Sequence, residues 1–269
     1  MNKNLTFDAS RLAVAVCGTG EPAVFVHGLG SNKSVWRNVS RGLADIFHSY
    51  AIDLPGCGES PAPRRFRYTL EHYADVLTDF IIMKDLRKLT LVGASLGAAV
   101  ILLALLRRSD KLTSRVRSLC LIDAMAYPQD LPFFVEVLRA PFWGGLALSL
   151  PAIFLPPQYA RYYARREVRQ ALIETACLIN PKHFVRYAPR LKTICLPTLV
   201  IWGRKDGIVP LRFGKRLARD LPNSRLVVID RCGHSPHDEC PAEVIVALKE
   251  FAQEISGDVL PIGGPNQDA

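Results

Sequence analysis

Hydrophobic residues in this chain fall into short unbroken runs separated by longer stretches of mixed apolar and polar positions. Six runs read PAVFVHG (22–28), SYAIDLPG (49–56), KLTLVG (88–93), VRSLCLID (116–123), PTLVIWG (197–203) and SRLVVID (224–230). Each has strand length, is rich in β-branched residues and ends in Gly or Asp. Apolar residues at successive rather than alternate positions mean that both faces of each strand are covered. With helical patterns between most of the runs, this predicts an α/β architecture: a mostly parallel central sheet with helices on both faces. Ligands in such sheets gather at the carboxyl ends of the strands. His27, Asp53, Ser95, Asp123, Asp206 and His234 fall at those ends or just beyond them.

The alternation stops between Tyr127 and Arg190, where helical patterns, prolines and aromatics appear without a good strand. The chain is therefore divided into an α/β core (1–126 and 191–256) and a helical cap inserted over the sheet's edge (127–190). A Gly/Pro-rich tail (257–269) has little to bury and is expected to fray. Phe133, Phe134, Phe142, Trp143, Phe154, Tyr162 and Tyr163 would either line an apolar acyl pocket or form the cap's own small core.

Composition narrows the classes. At 269 residues and 49% hydrophobic the chain can bury one sizeable core. Residues 1–16 hold no continuous apolar segment before Asp8 and Arg11 and no small-residue cleavage site, so a cytoplasmic protein is expected. No apolar stretch reaches the roughly 20 residues of a spanning helix. The seven cysteines form no C-x-x-C pair and are odd in number, which reads as reduced structural thiols rather than a disulfide framework or zinc site. The net charge of +9 is spread over scattered basic runs with no aromatic interleaving, so no nucleic-acid partner is expected.

The chemistry centres on GASLG, residues 93–97, which sits between the strand-like LTLV and the helix-like AAVILLALL. Glycines at −2 and +2 permit a tight strand-to-helix turn that lifts the Ser95 hydroxyl clear of the sheet, with the next N–H pointing the same way. A serine hydroxyl needs a base and an oxyanion stabiliser before it attacks a carbonyl. His234 follows the strand SRLVVID, with His237 and His27 as less suitable imidazoles. Asp206 follows PTLVIWG and is the preferred carboxylate, with Asp123 after LCLI the alternative. The order Ser, Asp, His is the one that the α/β-hydrolase fold uses.

These segments resemble the α/β-hydrolase superfamily from about Pro22 to Ile255. The matching motifs are HGLGSNKSVW (27–36), DLPGCGES (53–60), GASLG (93–97) and GHSPHDECP (233–241). The resemblance implies an α/β-hydrolase fold with a Ser95 nucleophile, a His234 base and an Asp206 orienter. It also implies an oxyanion hole from the backbone N–H groups of Leu29 and Leu96, and no metal or organic cofactor. Asp53 and Ser60 are expected to fix a loop with Gly56 and Gly58, and Glu239 and Pro241 to start the last helix. HGLG, with a side chain at the donor position, points to a narrower acyl site than the HGGG of some lipases.

Tyr162 and Tyr163 resemble the paired cap tyrosines of epoxide hydrolases. Those enzymes and the haloalkane dehalogenases need a carboxylate at the elbow, however, where this chain has Ser95. The expected function is hydrolysis of a carboxylic ester of a small to medium apolar substrate through an acyl-enzyme. Alternatives are a C–C bond hydrolase of vinylogous diketones, which usually carries Asn where this chain has Ala94, and a monoacylglycerol-lipase-like enzyme. Outside catalysis, the alternative is a small-molecule receptor of the same fold. The partner is a small molecule, and contact of the cap with a membrane surface is not expected.

Overall fold

The computed structural model describes residues 7–107, 110–130, 133–140, 165–178 and 183–257. Seven strands, β1 (Val14–Cys17), β2 (Glu21–Val26), β3 (Phe47–Ile52), β4 (Leu89–Ala94), β5 (Val116–Ile122), β6 (Thr198–Gly203) and β7 (Ser224–Ile229), form one sheet in the order β1-β3-β2-β4-β5-β6-β7. Only β1 runs antiparallel, pairing with β3 at the sheet's edge. The described helices are α1 (Arg37–Gly42), α2 (Leu70–Met83), α3 (Leu96–Leu106), α4 (Asp110–Thr113), α5 (Phe133–Arg139), α6 (Arg166–Leu178), α7 (His183–Tyr187), α8 (Leu211–Asp220), α9 (Pro236–Glu239) and α10 (Pro241–Ser256).

All six predicted strands are present. β1 was not foreseen: it is four residues long, sits at an edge and leaves Ala15 and Val16 exposed, so it lacks the apolar run that marks the others. The inner strands send alternate residues into two separate cores. Val24 and Val26, Leu89 and Leu91, and Leu119 and Leu121 share one core with residues of α2 and α3, and Val200 and Trp202 extend it to α8, where Trp202 lies against Gly214. Ala23 and Phe25, Val92 and Ala94, Cys120 and Ile122, and Leu199 and Ile201 face Val39 of α1 and Val244, Leu248 and Phe251 of α10. Burial on both faces is why these strands read as continuous apolar runs. Helix α3, LGAAVILLALL, is buried at every position because α2 and the 3₁₀ turn at Ala188–Thr193 close over the face turned from the sheet.

The register of the sheet sets the site. Gly93 lies beside Val26, Ala94 beside Ile122, Ile122 beside Ile201, and Gly203 beside Ile229. The carboxyl ends of β2, β4, β5, β6 and β7 therefore line one edge, and the loops leaving them are neighbours. Gly97 brings α3 against that edge, since a methyl group there would overlap the carbonyl oxygens of Val26 and His27. Gly97→Ala will force backbone to move and will cost about 1–3 kcal/mol in urea unfolding. An unchanged midpoint would contradict this packing.

Between β5 and β6 the chain carries the described helices α5, α6 and α7. Val135 and Leu138 of α5 pack on Val168, Leu172 and Ala176 of α6, and Leu29 of the loop after β2 packs against this cluster. Thr175 of α6 is hydrogen bonded to the Tyr73 hydroxyl of α2 at 2.8 Å, tying the insertion to the core. Phe142, Trp143, Phe154, Tyr162 and Tyr163, the side chains of Phe133 and Phe134, and residues 258–269 of the tail lie outside the described residues.

Candidate active site

Ser95 occupies the turn between β4 and α3 with φ 50° and ψ −111°, a backbone conformation that L residues rarely adopt. The turn is held from two sides. The Ser95 N–H donates to the Ile122 carbonyl at 2.9 Å, and the Ser95 carbonyl accepts from Ala99 and Met125. Strain at a single non-glycine residue persists only where its surroundings over-determine it, and it concentrates at functional sites. Leu96 is the first residue of α3, so its N–H belongs to the helix's unpaired first turn, where the helix dipole favours negative charge. Opposite, a Cβ placed on Gly28 would lie 3.4 Å from the Ser95 Cβ, so the HGLG loop passes directly over the serine.

Buried polar contacts fix that loop. His27 is fully buried; its Nε2 accepts the Leu54 N–H at 3.1 Å and its Nδ1 donates to the Gly28 carbonyl at 2.8 Å. Burial lowers its pKa, which keeps it a neutral structural imidazole. Below it the Asp53 carboxylate, with no exposed surface, accepts from the Lys33 N–H (2.6 Å), the Lys33 ammonium (2.7 Å) and the Glu59 N–H (2.8 Å). Burial opposes the charge on Lys33, but Asp53 and Glu59 outweigh it and hold the amine above its ordinary range. Ser60 links the Asp53 carbonyl to the Ala13 N–H. Asp53 and Ser60 thus fix the loop as expected, and Lys33 is the partner that sequence reading missed.

On the far side, Asp206 follows β6 and His234 follows β7. The His234 Nδ1–H donates to Asp206 Oδ2 at 2.8 Å, leaving Nε2 as the lone-pair nitrogen. Asp206 Oδ1 accepts from the N–H groups of Ile208 and Val209 at 2.8 and 2.9 Å, so three donors fix its carboxylate. Asp123, the alternative acid, is also buried here, but its Oδ1 accepts from the Gly203 N–H and it makes no hydrogen bond to His234. Asp123, Asp206 and His234 each offer an atom within 4.8 Å of the others, the one grouping of metal-ligand type among the described residues. Both oxygens of Asp206 already accept from N–H donors. The arrangement is that of an oriented imidazole.

The loop carrying His234 is closed on itself. Glu239 accepts from Gly233 N–H at 2.7 Å and from Ser235 N–H at 2.9 Å, so it secures the histidine loop rather than only starting a helix. Pro241 does begin α10, at its first position. Cys232 and Cys240 are paired as a disulfide across the same loop, with Cα atoms 6.5 Å apart. This corrects the reading of all seven cysteines as reduced thiols: spacing alone does not reveal a turn that returns the chain to its start. His237 stacks on Trp36 at 4.4 Å, and burial drives its pKa down to about 3, so it is a neutral packing residue. Glu239→Ala will leave two N–H groups without their carboxylate and loosen His234. We expect kcat to fall roughly ten- to a hundredfold with KM little changed; an equal rise in KM would point to a different role.

Residues 23–248 match the model of the alpha/beta hydrolase family. The chain belongs to that family. Among its relatives, a 2-hydroxy-6-oxononadienedioate/2-hydroxy-6-oxononatrienedioate hydrolase of Dechloromonas aromatica is 29% identical over 243 residues, covering 81% of this chain and 82% of the relative. A pimeloyl-[acyl-carrier protein] methyl ester esterase of Neisseria meningitidis is 29% identical over 255 residues, covering 86% and 93%. The structure of a thermophilic esterase from Thermogutta terrifontis superimposes with a TM-score of 0.67 at 26% identity, covering 91% of this hydrolase and 93% of that chain. No helix among the described residues of this hydrolase is long and apolar enough to cross a membrane.

Proposed function

We propose that this hydrolase cleaves a carboxylic ester of a small to medium apolar substrate through a Ser95 acyl-enzyme. The reading rests chiefly on the 2.8 Å bond from His234 Nδ1–H to Asp206, with Ser95 in a strained turn at the amino end of α3. His234 Nε2 removes the Ser95 proton as Oγ attacks the ester carbonyl. The N–H groups of Leu29 and Leu96 receive the oxyanion, and Asp206 stabilises the imidazolium. The C–O bond to the alcohol then breaks, and the departing oxygen takes the proton from His234. Water repeats the sequence on the acyl-enzyme, releasing the acid and restoring Ser95. None of these steps calls for a metal or organic cofactor.

Two measurements test this together. An alkyl fluorophosphonate should add to Ser95, read as a single mass increase on the peptide spanning 89–107. A series of p-nitrophenyl esters of increasing acyl length should be turned over with an optimum that sizes the pocket. Protein that is folded, unlabelled and inert to every ester would overturn the reading. The Dechloromonas relative motivates a second reading, C–C bond hydrolysis of a vinylogous diketone. Ala94 at the position before the serine weighs against it, and labelling of Ser95 with turnover of diketones but not esters would favour it.

A further inference from the structure

Asp123 is a buried acid that the proposed acyl-transfer sequence does not use. It has no exposed surface, follows β5 directly and adopts φ 43°, a left-handed conformation unusual for a non-glycine residue. Its Oδ1 accepts the Gly203 N–H at 2.9 Å, which ties the end of β5 to the end of β6. Its Oδ2 is buried and has no hydrogen-bond partner among the described residues. An unpaired buried oxygen costs free energy, and an asparagine could make the Gly203 bond equally well. The structural duty of the residue therefore accounts for one oxygen and leaves the second unexplained.

The surroundings of the second oxygen supply the explanation. Asp123, Asp206 and His234 present atoms within 4.8 Å of one another, and Glu239 adds a further negative charge nearby. Two carboxylates this close and this deeply buried cannot both ionise readily. Asp206 has three N–H donors to stabilise its charge and Asp123 has one, so the charge resides on Asp206.

We propose that Asp123 is a positioning residue that holds a proton beside the Asp206–His234 pair, so that two carboxyl groups share a single negative charge behind the imidazole. Burial first, then the Asp206 and Glu239 charges, push its carboxyl up to about 9, against the lowering effect of the Gly203 N–H. Beside the ionised Asp206, Asp123 stays neutral up to about pH 9. With the Asp206 charge removed, the proton leaves Asp123 for solvent and its carboxylate becomes the anion that supports the protonated imidazole. The proposal rests on Ser95, His234 and Asp206 acting as a triad.

Infrared difference spectra of wild type and Asp123→Asn test the proton without needing turnover. The carbonyl band of a neutral carboxylic acid should be present in wild type at pH 7, fade as pH rises through about 9, and be missing in Asp123→Asn. Wild-type kcat/KM for an ester should also show an alkaline ionisation that Asp123→Asn lacks. Asp206→Ala takes away the charge without offering an amide N–H to His234. It should lose roughly 10- to 100-fold in kcat, whereas Asp206→Ala combined with Asp123→Asn should fall on the order of 10⁴-fold, the cost of losing a triad acid outright.

No neutral-acid band at pH 7, or equal losses in the single and double variants when both fold by circular dichroism, would overturn the proposal. A protein that shows the band but hydrolyses no ester would instead overturn the ester reading and leave the proton on Asp123.

Discussion

Ser95→Ala will lower the turnover of its best p-nitrophenyl ester at least about a thousandfold while leaving the unfolding midpoint nearly unchanged. The size follows from the chemistry. Without Oγ no acyl-enzyme forms, and the oxyanion donors and binding groups are left to act on direct attack by water. The small stability change follows from the site: Ser95 is half-buried and its side chain makes no hydrogen bond that caps α3. The strained turn is held by backbone bonds to Ile122, Ala99 and Met125, which alanine retains. A variant that kept a tenth of the activity would remove Ser95 from the nucleophile's role. Loss of activity with loss of folding would show that the turn depends on the hydroxyl.

Lys33→Met will have a large effect on stability although the residue lies away from the proposed reacting groups. The substitution keeps the aliphatic stem and deletes the ammonium, leaving the fully buried Asp53 carboxylate with two backbone N–H donors and no cation. Removing one partner of a buried pair orphans the other charge, and about 3 kcal/mol is expected, the low end of the usual cost because those two donors remain. For a chain of this size that corresponds to a melting temperature roughly 6–12 °C lower. Glu59→Gln is the control. Glu59 is 61% exposed, and its change should stay within about 0.5 kcal/mol. Equal losses in the two variants would mean that Asp53 does not need its cation.

The two losses also separate what the sequence makes legible from what it hides. Ser95 could be found because the requirement is local: two glycines, a strand before and a helix after, all within twenty residues. The five inner strands were legible for a similar reason, since burial on both faces writes itself as an apolar run. The pairing of Lys33 with Asp53 joins positions twenty residues apart in two separate segments, after β2 and after β3, and no periodicity marks it. Glu239 was recognised as belonging to a helix start, but its bonds to Gly233 and Ser235 depend on a turn that the chain reveals only when folded. The same turn joins Cys232 to Cys240. Asp123 and Asp206 both follow strands, so sequence offered two acids; the bond to His234 belongs to Asp206, and the orphaned oxygen belongs to Asp123.

Leu29 belongs to the loop passing over Ser95, yet its side chain packs against Val135, Leu138, Val168 and Leu172 of the insertion. The part of the chain that would choose the substrate thus also acts as a shim behind a residue proposed to stabilise the reaction's charge. In evolutionary terms, the proposed oxyanion donor and the α5/α6 cluster form one packed unit. If the Leu29 N–H receives the oxyanion as proposed, a change on α5 or α6 that shifts Leu29 would also shift that donor, and new specificities would be reached through compensating pairs of substitutions.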